Sequence, residues 1–263
     1  MPPSQKRARR YDFVITRAAV LAQFEHVRSA VSALTPDQLA LPTRLGDWTV
    51  RELAAHLAMA VESVSRFLDE EPPAVQELTL LEWPFATAPV AHQISDDVRA
   101  IAAASTPAEL FGRTADRIAE RLPGADGERL LATRVGAMPL GDYLVSRCVE
   151  LVVHTDDLNA ATGLDIPYDR KALAACTRLL ADALAVKAPG ASTEVRIPPY
   201  AVVQCIEGPR HTRGTPPNVV ETDPLSWIRL ATGRTEWQAA VEGADVAASG
   251  ERADLSALLP VMS

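Results

Sequence analysis

The chain is 263 residues long and 48% hydrophobic, with 34 Asp and Glu against 26 Lys and Arg, a net charge of −8. That length supports one large domain or two modest ones, each with its own core, and the acidic balance excludes nucleic acid as the expected partner, because phosphates are held by clustered cations. No apolar run approaches the roughly 18 residues that span a bilayer, and Asp12, Arg17 and Glu25 interrupt the segment after the basic cluster Lys6 to Arg10, so the expectation is a cytoplasmic protein with no membrane insertion.

Residues 1–10 read as a solvated basic tail. From there to about residue 165, apolar residues recur at three and four, with Pro and Gly at the joints. The first predicted helix runs from about Tyr11 to Leu34, with Val14, Ala18, Leu21, Phe24 and Val31 near one face, and ends at "LTPDQL". Thr49 caps the second, and Glu52 completes a capping box in "TVRE". Leu53, Leu57, Ala60, Val61 and Val64 carry its stripe to about Leu68. A long connection, "LTLLEWPFATAPVAHQ", leads to a third helical region, which Thr106 and Pro107 restart as a second piece. The fourth helix runs from about Leu140 to Thr162 and stops at Gly163. Four such helices with one long crossover predict an all-α four-helix bundle over residues 11–165.

The pattern then changes. A helix from about Arg170 to Lys187 is followed by the strand-like runs "STEVRIPPY" and "AVVQCIE". Asp223 and Pro224 open a helix in "TDPLSWIRLATG", a short helix and strand follow in "TEWQAAVEGADVAASGE", and "ADLSALLPVM" reads as a last helix. Strands with segregated helices predict an α+β domain over residues 166–263. Cys148, Cys176 and Cys205 form neither a CxxC pair nor an even framework, which fits three small buried hydrophobes in a reducing compartment.

Chemistry concentrates in "RCVELVVHTDDLNAATG", where Glu150 and His154 lie one turn apart on a helix that otherwise has Val149, Leu151, Val152, Val153 and Leu158 to bury. Arg147 and Asp157 extend the same stripe by a turn each way. His56, beside Leu53, Leu57 and Ala60, points toward the bundle interior. Two imidazoles and a carboxylate form a zinc set with a fourth position open. Spacing alone leaves the plainer alternative standing: a hydrogen-bonded Glu–His pair and a satisfied core histidine. Glu52, four residues before His56, is explained by its capping role.

Two stretches carry a resemblance. "GDWTVRELAAHLA" and "MPLGDYLVSRCVELVVHTDDLNAATG", the latter with an Arg-x-x-Glu-x-x-x-His-x-x-Asp-Leu pattern, are similar to the paired helix signatures of the mycothiol-dependent maleylpyruvate isomerase and DinB-like superfamily. The resemblance implies a divalent metal, zinc by preference, on His56, Glu150 and His154, with mycothiol as co-substrate and a small electrophile as its partner. More loosely, "DPLSWIRLATGRTEW" and "AASGERADLSALLP" resemble the sterol-carrier-protein-like domain that follows this bundle. A thiol-dependent transferase or cis–trans isomerase is the leading expectation.

In that reading Asp157, and less strongly Asp156, accepts a hydrogen bond from a ligand imidazole; the equal alternative for aspartates late in a helix is plain surface. Arg147 holds Glu150 or a substrate carboxylate, with a structural ion pair as the equal alternative; Arg234 reaches an anionic substrate from the second domain or is an ordinary basic residue after a helix end; and Trp83 and Phe85 line the mouth or simply pin the loop. The competing class is a carrier in which the C-terminal domain encloses an apolar ligand or lipid and the bundle holds a structural metal. The Pro- and charge-rich "EGPRHTRGTPPN" weighs against an apolar tunnel. A third reading is a metal-binding protein without turnover. Monomer and homodimer stay open.

Overall fold

The computed structural model describes residues 9–208 and 217–262. Most of the basic tail, Lys6 and Arg7 included, and the centre of "EGPRHTRGTPPN" lie outside the described residues.

Helix α1 (Phe13–Ser32) starts where the Asp12 carboxylate accepts from Ile15 N–H at 2.9 Å. Its buried stripe is Thr16, Val20, Gln23, Phe24, Val27 and Val31, whereas Val14 and Leu21 are exposed. The expected face is therefore rotated. Gln23 causes this: its amide donates to Thr155 and the Pro167 carbonyl and accepts from Asp169 N–H, so a polar residue sits in the core fully satisfied.

After a single turn, α2 (Pro36–Leu39), the Thr49–Glu52 capping box opens α3 (Val50–Asp69), with Thr49 N–H donating to the Glu52 carboxylate at 2.9 Å. The long connection holds a short helix, α4 (Trp83–Ala86), and leads to α5 (Ala91–Ala104). Helix α6 (Pro107–Arg121) restarts at Thr106 as expected. It is α6 that joins α1 and α3 in the bundle, while α5 leans on α3 from outside. The fourth bundle member, α7 (Leu140–Thr162), packs on α1 and α3 and ends at Gly163, whose φ of 71° suits a residue without Cβ.

A hairpin unforeseen in the sequence, β1 (Leu130–Thr133) with β2 (Gly136–Pro139), precedes α7. Each strand is four residues long, too short for alternation to register. The Ala137 carbonyl accepts from Glu77 and Leu78 N–H, so the hairpin anchors the connection that covers the bundle.

Helix α8 (Arg170–Lys187) packs on α1 and α7 on one side and on β4 (Ala201–Cys205) and α9 (Pro224–Ala231) on the other. The second sheet has the order β4-β3-β5-β6, with β3 (Thr193–Ile197) antiparallel to β4 and parallel to β5 (Val219–Thr222). The unforeseen strand is β5; β6 (Val246–Ser249) follows the short α10 (Trp237–Glu242). The architecture is thus an N-terminal four-helix bundle followed by an α+β unit, and one continuous apolar cluster runs through both.

The expected last helix in "ADLSALLPVM" is corrected to a single 3-10 turn, Ser256–Leu258. Pro260 interrupts the pattern, and the N–H groups of Val261 and Met262 donate to the Ala231 carbonyl, drawing the segment back against α9. No described helix is long and apolar enough to cross a membrane.

Candidate metal centre

Packing α3 against α7 brings His56 opposite Glu150 and His154. His56 sits in the buried stripe of α3 at 8% exposure, and Glu150 and His154 occupy one face of α7 a turn apart. Glu150 Oε2 lies 3.0 Å from His56 Nε2 and 3.4 Å from His154 Nε2. Each of the three residues offers one donor atom within 4.8 Å of the others. The two rings meet edge to face, with centroids 4.7 Å apart.

His154 is oriented from behind. Its Nδ1 lies 2.7 Å from Asp157 Oδ2, and an ionised carboxylate only accepts, so the proton is on Nδ1 and Nε2 faces Glu150. Asp157 has no exposed surface and also accepts from Arg234 Nη2 at 2.9 Å and Arg44 Nε at 2.5 Å. Its neighbour Asp156 accepts from Arg229 Nη2 at 2.6 Å, from Tyr168 and from Arg44. Two consecutive buried aspartates are thereby matched by three arginines: one from the loop before α3, one on α9 and one just beyond it.

Ionisation follows from these contacts. Burial pushes Glu150 up, but hydrogen bonds from His154 and His56 and the charge of Arg147 outweigh it and hold the carboxyl well below its usual range. Burial lowers His56, and the charge on His154 adds to that against the bond to Glu150. For His154 burial is outweighed by the bonds to Asp157 and Glu150, so it rises above the ordinary imidazole range. Asp157, despite burial, is held far below the carboxylate range by His154 and Arg234.

The donor set suits a divalent ion. Two imidazoles and a carboxylate converge, one imidazole has its far nitrogen held by a carboxylate that fixes its tautomer, and the other is kept neutral by burial. His56 Nδ1 is buried without a partner among the described residues, so no hydrogen bond to that nitrogen holds the ring in place.

Two cavities meet at His56 and Glu150. The outer one, about 390 Å³, lies between the bundle and the C-terminal unit, bounded by Leu45, Trp48, Ile94, Thr232, Arg234 and Met262. The inner one, about 70 Å³, runs along α3 beneath Trp83.

Among the candidates named from sequence, Arg234 reaches Asp157 and borders the outer cavity. Arg147 is 8% exposed; it donates to Ser146 and the Ala60 carbonyl and stands 3.9 Å from Glu150 Oε1, beside the inner cavity. Trp83 is buried against the inner cavity, whereas Phe85 is 40% exposed and borders neither one. Asp156 and Asp157, which could have been plain surface, are both buried. Arg44 and Arg229 carry no local pattern that marks them for this role. The one sequence signal for them is that "DD" in a buried helix demands cations from elsewhere.

Bundle, donor set and appended sheet define a helical protein with a two-histidine, one-carboxylate centre at the seam with an α+β unit. The chain belongs to the family described as the mycothiol maleylpyruvate isomerase N-terminal domain, whose profile matches residues 20–159. Residues 169–261 match the family described as the bacterial SCP ortholog. Among solved structures the chain is similar to the mycothiol-dependent maleylpyruvate isomerase and to a histidine-to-alanine mutant of it. In each case the identity is 16%, the TM-score is 0.60, and 93% of this chain and 95% of that chain are covered. At that identity the likeness is one of fold. No curated protein matches the chain.

Proposed function

We propose that this protein binds a divalent metal, zinc by preference, on His56, Glu150 and His154 and catalyses a thiol-dependent transfer or cis–trans isomerisation on a small electrophile, with mycothiol as the thiol. One observation carries the reading: three metal-type donors from two helices converge where two cavities meet, and one of them is oriented by the buried Asp157. Family membership supports the thiol and the reaction class.

A divalent ion held there supplies Lewis acidity that keeps a thiol ionised at neutral pH. The protein's own residues do the rest. Asp157 holds the proton on His154 Nδ1 so that Nε2 stays available. Arg44 and Arg234 keep Asp157 charged and fixed. Trp48, Ile94 and Leu45 supply apolar walls to the outer cavity, whose size suits the larger of two reactants.

The sulfur comes from outside the chain. Cys148, Cys176 and Cys205 are buried, and burial pushes their thiols up, Cys205 to about 11. The thiolate forms a C–S bond at the electrophile's activated double bond, whose π electrons move onto the adjoining carbonyl group. In isomerisation those electrons return after rotation and expel the thiolate, and in transfer the neighbouring carbon takes up a proton and the C–S bond remains.

The carrier reading has weaker support, because Val195, Ile197, Val203, Val220 and Trp227 fill the interior of the C-terminal unit with buried side chains. The test is zinc content followed by turnover of an electrophilic dye and of maleylpyruvate with mycothiol. The proposal expects one zinc per chain and zinc-dependent turnover of at least one of them. Protein without stoichiometric metal, or metal-loaded protein inert toward both, refutes it.

A further inference from the structure

The apolar stripe that the sequence places on the first helix does not face the core. Val14 is 60% exposed, Ile15 49% and Leu21 38%; Ala18 is exposed between them and Ala22 is half-buried. The core takes Thr16, Val20, Gln23, Phe24, Val27 and Val31 from the opposite side of α1. Val14, Ala18 and Leu21 are spaced four and three, the interval of a helix–helix seam, on a face that the described residues leave open.

The stripe reads alike in both directions. Counted from Ala18, Ile15 and Leu21 lie three residues away, and Val14 and Ala22 four. A second copy laid antiparallel about Ala18 therefore sets Ile15 level with the second copy's Leu21 and Val14 level with its Ala22, with alanine at the crossing, where backbones come closest. The charges favour the same register. Arg10 is exposed and has no ion-pair partner among the described residues, and Glu25 is exposed with only the local partners Arg28 and Ser29. They lie eight and seven residues from Ala18 on opposite sides, so each Arg10 arrives beside the other copy's Glu25. Centring the pair on Leu21 instead would set Val14 against Arg28.

We propose that two copies of this chain associate antiparallel through the outer face of α1, about a two-fold axis at Ala18. A groove of about 440 Å³ opens beside the stripe at Glu25, walled by Ala30, Leu34, Leu164 and Ile166, and the pairing lays the second copy's α1 N-terminus toward it. The contact thus extends past the five stripe residues. One helix face and a groove still fall short of the roughly 800 Å² per partner of a standard interface, so the dimer is weak and depends on concentration.

The test is sedimentation velocity of the full chain over about 5–500 µM, with an expected Kd of about 10–100 µM. Ala18→Glu leaves the core untouched, puts two like charges on the axis, and should weaken association by about tenfold or more. Arg10→Glu should weaken it as well, and adding Glu25→Arg should restore it. Cross-linking reads the register, because the native cysteines are buried. Under copper-catalysed air oxidation Ala18→Cys should give a disulfide-linked dimer, whereas Val14→Cys, about 12 Å along the helix from its symmetry mate, should not. A parent that is monomeric at the top of the range overturns the proposal, whether thiol labelling of Leu21→Cys finds the stripe open or shielded by residues 1–8 of its own chain. A dimer that Ala18→Glu leaves unchanged, or that Val14→Cys links and Ala18→Cys does not, overturns it too.

Discussion

Replacing Asp157 with Asn changes almost no volume and removes one charge from the point where the second domain reaches the centre. The carboxylate serves His154 at 2.7 Å, Arg234 at 2.9 Å and Arg44 at 2.5 Å, with no solvent exposure. An amide offers one acceptor oxygen to three donors and turns its own N–H₂ toward one of them. Removing one partner of a buried ion pair costs about 3–5 kcal/mol. Arg44 keeps Asp156 and is 30% exposed, so its share is small, whereas Arg234 at 16% exposure loses its carboxylate. A loss of about 2–4 kcal/mol in stability follows, together with a loss of about 10–100-fold in zinc affinity because His154 is no longer fixed. Urea unfolding of the metal-free protein reads the first, and competition against a chelating dye reads the second. A variant with an unchanged urea midpoint and zinc affinity within threefold of the parent would refute the claim that Asp157 orients His154.

Other consequences are smaller or more local. His154→Ala should release the metal, and unchanged zinc stoichiometry would show that the donor set is wrong. Arg229→Met removes one of two arginines from Asp156 across the domain seam; because Arg229 is 41% exposed and Arg44 remains, the expected loss is about 1 kcal/mol by urea unfolding, and a loss above about 4 kcal/mol would mean that Arg44 does not compensate. Zinc affinity should fall as pH drops through the raised range of His154, because a proton then occupies Nε2 and must leave when the ion binds. Asp157→Asn should move that break to lower pH, and a pH-independent affinity between 5 and 8 would contradict the assignment. Asp156 and Asp157 are both held below the ordinary carboxylate value of 3.8, so the stability they contribute is present above that value and is lost as pH falls below it. The acid limb of the stability curve should flatten in Asp157→Asn.

The features legible in the sequence are those with a local cause. Caps at Thr49 and Thr106 and the stop at Gly163 mark helix ends because each satisfies backbone groups within a few residues. The proximity of His56 to Glu150 and His154 follows from their places in two apolar stripes. Features set by distant contacts were hidden. The face of α1 is misjudged because Gln23 is satisfied by residues more than 130 positions away. The short β1–β2 hairpin, which borders the inner cavity, and strand β5 are too brief to show a period. The last segment reads as helix until Ala231 captures its N–H groups. Arg44 and Arg229 are invisible for the same reason: their carboxylates lie 112 and 73 residues away in the chain.

The central claim is that His56, Glu150 and His154 hold an ion that engages a thiol. Zinc-edge X-ray absorption on the loaded protein, before and after mycothiol is added, addresses it most directly. The account predicts a light-atom shell that includes two imidazoles, joined on thiol addition by one sulfur at about 2.3 Å. Fewer than two imidazoles, or a spectrum that mycothiol leaves unchanged, would contradict it.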